Sequence, residues 1–395
     1  MKLWALAAIA SGAAISSCGA APHPVEPRPV IETVRARIHG VPRLVHFEND
    51  VALFYEIIVE NDRSDPLDFV SLETAFGSGL RVDATELRAG ARRLPVGTIR
   101  SLEELRQIRD ELANPFAGRV PPQGAVVEFF HLLAPRSSGM PQSIGHVLTL
   151  RDEGGQHYPL LLTLDHPSEP IRVLGSPLRG SWICANGPSN TSNHRQSMLR
   201  IGDHNFLAQR FAIDFLGIDD DGRAVLSTDP SPPNDAFVGY GREVLAVADA
   251  TVTDVRDGIP ENADGPESRA VPMTLDTLGG NFVILELDEG AYAFYAHLQP
   301  GTIRVRRGDH VDRAMVLGLV GNSGNSTAPH LHFHVCDAPS PLECEGLPYA
   351  FERYVRRDYE PPADESDPSA PLRLSTTTHD VANALPQLDG LVTFN

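Results

Sequence analysis

Leu53, Tyr55, Ile57 and Val59 take every second position of the run LFYEIIVEND, and alternate side chains of a β-strand stand on one face. The same two-residue period returns in GAVVEFFHLLAP (124–135) and GHVLTLRD (145–152), with turn clusters such as NDRSDP and GSG along the series. Short strands at this spacing must pair into sheets and bury their apolar faces against one another. The pattern therefore predicts an antiparallel, immunoglobulin-like β-sandwich over 31–178. One helix is expected to interrupt it, SLEELRQIRDEL (101–112), where Ser101 can cap the first turn and Glu104 stands at the capping-box position. His46, His131, His146 and His157 are scattered through this region without a shared spacing, so they read as surface or hydrogen-bonded core residues. No chemistry is visible here, and the domain is expected to serve as a spacer or binding module.

From PLRGSWICANGPSN onward, glycine-rich turns alternate with strand-like runs such as RFAIDFLGI, NFVILELDEGAYAFYAHL and VLGLVGNSG, with almost no helical periodicity. A second, mainly β domain is expected over 179–357. The stretch beyond it, 358–395, is acidic and proline-rich around EPPADESDPSAPL and reads as a flexible tail, with LVTFN as a possible edge strand. GIDDDGR lacks the late acidic ligand of a calcium loop and reads as a hairpin turn, and the arginines of IRVRRGDHV read as a solvated face.

The whole chain of 395 residues is long enough for two cores, and its formal net charge of −19 excludes a nucleic-acid backbone as partner, since two polyanions repel. The first residues, MKLWALAAIASGAAISSCGAA, have the lysine, apolar run and small residues of an export signal over 1–17. Their ending, Ile15-Ser16-Ser17-Cys18, resembles a bacterial lipobox, which implies a lipid on Cys18, a membrane anchor and an extracytoplasmic location. Gly19 after Cys18 points to the periplasmic face of the outer membrane. Residues 18–30, proline-rich and poor in apolar groups, read as a tether. Of the other cysteines, Cys184 reads as a core residue, and the close pair Cys336 and Cys344 reads either as a disulfide or as two buried thiols.

The chemistry concentrates in FAIDF, YAHL and PHLHFHV, which supply Asp214, His297, His330, His332 and His334. Zinc takes nitrogen and oxygen ligands, and a catalytic zinc site keeps three protein ligands and one open position. Two imidazoles on one strand face and a carboxylate from another strand suit such a site. The run GGNFVILEL to PHLHFHV, with FAIDF upstream, resembles the LytM/lysostaphin-type zinc endopeptidases of bacterial cell walls, over about 180–350. That resemblance implies an antiparallel β-sheet peptidase domain, Zn2+ as cofactor, and hydrolysis of peptide bonds in peptidoglycan. It implies zinc ligation by Asp214 and His332, with His330 as proton carrier and His297 as hydrogen-bond donor to the oxyanion, or the two in exchanged roles. The family motif also places a histidine four residues before the aspartate. Arg210 stands there instead, and a guanidinium has no lone pair for a metal. The missing ligand is then His194 of NGPSNTSNHRQ, His204, His334, or none. In the last case the domain would bind wall peptides or regulate another hydrolase without turnover.

Overall fold

The strand Asp50–Asn61 is buried along both faces, and this determines how the two halves of the chain meet. The computed structural model describes residues 33–76, 88–95, 119–137, 139–166, 170–263, 268–288, 290–362, 364 and 367–395. The expected helix at 101–112, the export signal with Cys18, and the tether lie outside these residues. Leu53, Tyr55, Ile57 and Val59 point into one core, as their alternation requires. The opposite face is not solvated. Phe54 meets Phe211 edge-on at 5.6 Å between ring centroids, and Ile58 clusters with Met198 and Leu207. Burying side chains of this size contributes about 1.5–3 kcal/mol each. The first domain is thus docked on the second.

That first domain is a two-sheet sandwich. One antiparallel sheet runs Val34–His46, Asp50–Asn61, Gly124–Pro135, Arg88–Pro95, and the other Arg119–Val120, Leu67–Phe76, Ser143–Arg151, His157–Asp165. Residues from both sheets, among them Tyr55, Phe130, Leu148 and Leu150, share its core. His146 is buried there between the Tyr55 hydroxyl at 2.7 Å and Thr74 Oγ1 at 3.0 Å.

The second domain is built on an eleven-stranded sheet. Its order is His310–Val311, Ala250–Arg256, Asn281–Asp288, Ala291–Leu298, Leu331–Cys336, Ile213–Ile218, Gly180–Ala185, Leu391–Phe394, Tyr349–Glu360, Arg373–Ala384. These pairings are antiparallel, and Arg172–Leu174 adds a parallel partner to Tyr349–Glu360. Among the described residues the only helical element is the 3-10 turn Asn234–Ala236, and none of them forms a helix long and apolar enough to cross a membrane.

The reading of 358–395 as a flexible tail is corrected. Arg373–Ala384 pairs along Tyr349–Glu360, and Leu391–Phe394 sits inside the sheet between Tyr349–Glu360 and Gly180–Ala185. The acidic, proline-rich residues occupy only the connection between strands. Val392 and Phe394 enter the main core, so LVTFN is an interior strand and not an edge.

Candidate metal centre

Alternation sorts the central strands into a core face and a polar face. On Leu331–Cys336, Leu331, Phe333 and Val335 enter the main core, and on Ile213–Ile218 so do Ile213 and Phe215. His332, His334 and Asp214 must then point to the other side. Register brings them together, because Asp214 pairs directly with His332 across the two strands. Ala296 of the neighbouring strand also lies opposite His332, and its small side chain leaves room above the sheet. His330 precedes the strand and His297 is the penultimate residue of Ala291–Leu298.

Asp214 is the hub. Its Oδ1 lies 3.0 Å from His332 Nδ1 and 3.3 Å from His330 Nε2; its Oδ2 lies 3.3 Å from His194 Nε2 and accepts a 2.9 Å hydrogen bond from Asn186 Nδ2. Three of the imidazoles are oriented through their other nitrogen. His194 Nδ1 donates to the carbonyl of Asn186 at 3.0 Å, His330 Nδ1 to that of Ala328 at 2.8 Å, and His297 Nδ1 to that of Ser323 at 2.8 Å. A carbonyl can only accept, so each neutral ring carries its proton on Nδ1 and keeps the Nε2 lone pair free. This is the outer hydrogen bond by which proteins fix a ligating histidine.

His297 has φ +63°, a left-handed conformation uncommon outside glycine. Its backbone N–H donates to Gly279 and its ring to Ser323, so the conformation is held from two sides. The turn GNSGNS supplies that carbonyl. A Cβ on Gly280 would collide with Ser323, and one on Gly324 with Gly280, so glycine at both positions lets the loops touch. Asn262 secures the same turn by donating to the carbonyls of Gly324 and Ser326 at 2.8 and 2.9 Å.

Burial opposes charge on Asp214, His297, His330, His332 and His334. It would raise the Asp214 carboxyl, but the His194 and His330 rings hold it well below the usual carboxylate range. Burial pulls His330 down, yet Asp214 prevails and leaves it raised. Burial pushes His332 down to about 4 and takes His297 and His334 well below the usual imidazole value. His332 and His297 are therefore neutral near pH 7, the form in which an imidazole ligates a metal.

His194, Asp214 and His332 each offer a ligand atom, all within 4.8 Å of one another. Two nitrogens and a carboxylate oxygen, with Asp214 and His332 buried and His194 partly so, and with two rings pre-oriented by hydrogen bonds, match the donor chemistry of zinc. His194 thus joins the two strand residues. His204 does not, standing exposed in the hairpin of Leu199–Ile201 with His204–Phe206. His334 lies behind His332, its Nδ1 2.8 Å from His332 Nε2, and its own Nε2 is buried without a hydrogen-bond partner. Arg210 turns away from the cluster altogether. It is buried against Glu56 of the sandwich, with Nη2 2.9 Å from Oε2, and Nη2 also lies 2.5 Å from Glu345 Oε2. Cys336 and Cys344 form a disulfide, and Cys184 is a free thiol in the core. Asn186 escaped the sequence reading, although Asn-Gly directly after a strand marks a turn and asparagine tolerates the φ of +51° found there.

The sequence model of peptidase family M23 matches residues 234–343. This part of the chain is a peptidase family M23 domain. The matched residues of the M23 domain contain His297, His330 and His332 but stop short of His194, Arg210 and Asp214, where the departure from the motif lies. Among solved structures, the catalytic domain of the antimicrobial peptidase lysostaphin from Staphylococcus simulans is 19% identical over 42% of this chain and 88% of that one, with a TM-score of 0.23. The deep-sea M23 metalloprotease pseudoalterin is 12% identical over 54% and 96%, with a TM-score of 0.26. A zinc-containing peptidase from Vibrio cholerae is 14% identical over 72% and 77%, with a TM-score of 0.19.

Proposed function

We propose that the protein is a zinc-dependent endopeptidase that hydrolyses peptide bonds of bacterial peptidoglycan, exported and anchored through a lipid on Cys18. The observation that carries this reading is the convergence of His194, Asp214 and His332 beside two further imidazoles, His297 and His330, whose Nδ1 atoms are held by backbone carbonyls. The Cys336–Cys344 disulfide supports a compartment outside the cytoplasm, where such bonds persist.

Zinc held by His194, Asp214 and His332 would polarise the scissile carbonyl and lower the pKa of a water toward about 7. The two remaining rings would supply the proton transfer and the oxyanion contact. His297 is neutral, with Nδ1–H committed to Ser323 and a lone pair on Nε2, so it suits the base that takes a proton from the attacking water and passes it to the leaving nitrogen. His330, the other ring beside the cluster, would then serve as the donor to the developing oxyanion, a contribution of about 2.7–4 kcal/mol for one such group. This exchanges the roles that the resemblance first suggested.

The test is hydrolysis of purified peptidoglycan and cross-linked wall peptides by the full chain, read as newly released amino groups, with chelator and then with zinc restored. Cleavage that disappears with chelator and returns with zinc is expected. A chain that carries one zinc and binds wall peptides but releases no amine would overturn the peptidase reading in favour of a peptide-binding domain. The diversion of Arg210 from the site is the feature that favours this second reading.

A further inference from the structure

His194 stands beside Arg195, and the two side chains belong to different domains' business. His194 reaches Asp214, whereas Arg195, fully buried, reaches back into the sandwich. Arg195 Nη1 pairs with Glu56 Oε1, Nη2 donates to the carbonyls of Tyr55 and Phe130 at 3.2 and 2.9 Å, and the guanidinium lies over the Phe54 ring at 4.7 Å. Asn190, in the same loop, donates to the carbonyl of Phe129 at 2.8 Å and accepts from Arg195 Nε at 3.2 Å. The loop that carries His194 is therefore pinned at two points to the strands Asp50–Asn61 and Gly124–Pro135.

Resting on the metal-site reading above, we infer that the centre is assembled across both domains: Asp214 and His332 come from the sheet of the second, and the sandwich sets the third ligand in place through Arg195 and Asn190. These two are positioning residues, since neither reaches the ligand atoms. Arg210 fits the same arrangement. Its position on the segment that leads to Asp214 is given over to Glu56, so the sequence has exchanged a ligand at that point for a tie to the sandwich, and the ligand comes from the loop that the sandwich holds. A ligand on a connecting loop has no ladder of strand hydrogen bonds to fix it, whereas this one is fixed by contacts with a neighbouring domain.

The experiment measures zinc affinity of the full chain by competition with a chelator, and the absorption spectrum of the Co2+-loaded protein, for wild type and for the His194→Ala, Arg195→Met, Arg195→Lys and Asn190→Ala variants. Near-ultraviolet circular dichroism reports that each is folded. Arg195→Met is expected to weaken zinc binding about 10- to 100-fold, as loss of outer-shell support does, and to shift the Co2+ spectrum toward that of His194→Ala. Arg195→Lys should recover part of the affinity. A sandwich-core variant, Leu148→Ala, should lose stability and keep the wild-type spectrum. Folded Arg195→Met with wild-type affinity and spectrum, while His194→Ala loses both, would overturn the inference and leave the ligand assignment standing. Unchanged affinity in His194→Ala would instead sink the ligand assignment itself. Should Arg195→Met fail to fold, Asn190→Ala decides alone, because it leaves the Arg195–Glu56 pair in place.

Discussion

Two carboxylates are buried at the heart of the molecule, and their surroundings differ in kind. Glu56 is held by Arg195 and Arg210, guanidiniums that stay charged at any accessible pH. Asp214 is held by His194, His330 and His332, rings that can release a proton and present a lone pair. Arg210 and Asp214 are only four residues apart, yet one serves each cluster. A carboxylate enclosed by permanent cations can only pair. One enclosed by imidazoles can trade protons for a metal ion, and that difference separates the joint between the domains from the candidate site.

The comparison breaks first at His330. His330→Ala should lower peptide hydrolysis by about 10²- to 10⁴-fold, the usual contribution of a positioned proton donor or acceptor, with zinc content unchanged by metal analysis. Equal loss of metal and activity would move His330 into the ligand set. Removing the other hub should cost stability: Glu56→Ala leaves buried Arg195 without a carboxylate and Arg210 with Glu345 alone, and should destabilise by about 3–5 kcal/mol in urea titrations. A change below about 1 kcal/mol, typical of exposed pairs, would show that the joint is solvated.

Metal should distinguish the clusters as well. Free zinc at a hundredfold excess over its dissociation constant should stabilise the wild-type chain by about 2.7 kcal/mol, and the gain should vanish in His194→Ala but persist in His204→Ala. Proton linkage gives a smaller signal at the joint. Burial would raise the Glu345 carboxyl, but Arg210 and His39 bring it down to about 2 from an ordinary 4.5. Its contribution is fully present above pH 4.5 and is lost as pH falls toward 2. Glu345→Gln should flatten the stability curve in that window by at most about 1.4 kcal/mol per pH unit, and an unchanged slope there would deny the pairing. The smallest effect belongs to His204→Ala, whose stability should stay within about 0.5 kcal/mol of wild type; a larger loss would give that exposed ring a role not seen here.

The sequence revealed what local periodicity can carry. The alternation at 53–59 predicted the sandwich core, and the two-residue spacing in PHLHFHV put His330, His332 and His334 on a common face, which holds for the last two. His330 separates from them because the strand begins at Leu331. Pairing between distant segments was the part that composition concealed. Residues 358–395 look like solvated tail by charge and proline content, yet Val392 and Phe394 are core. Arg210 could be read only as an absence of histidine, since its partner Glu56 lies 154 positions earlier, on the strand face opposite Leu53, Tyr55, Ile57 and Val59. His194 was reachable as a candidate, but nothing local showed that its neighbour reaches another domain.

The placement of Leu391–Phe394 bears on how the protein is made. This strand lies next to Gly180–Ala185, whose other neighbour is the strand that carries Asp214. On a ribosome it emerges after every other strand of the sheet, so the framework of the candidate site cannot finish closing until synthesis has passed it. A chain truncated before Leu391 would expose two hydrogen-bonding edges in the middle of the sheet, on Gly180–Ala185 and Tyr349–Glu360, which is the kind of surface that recruits strands from other molecules.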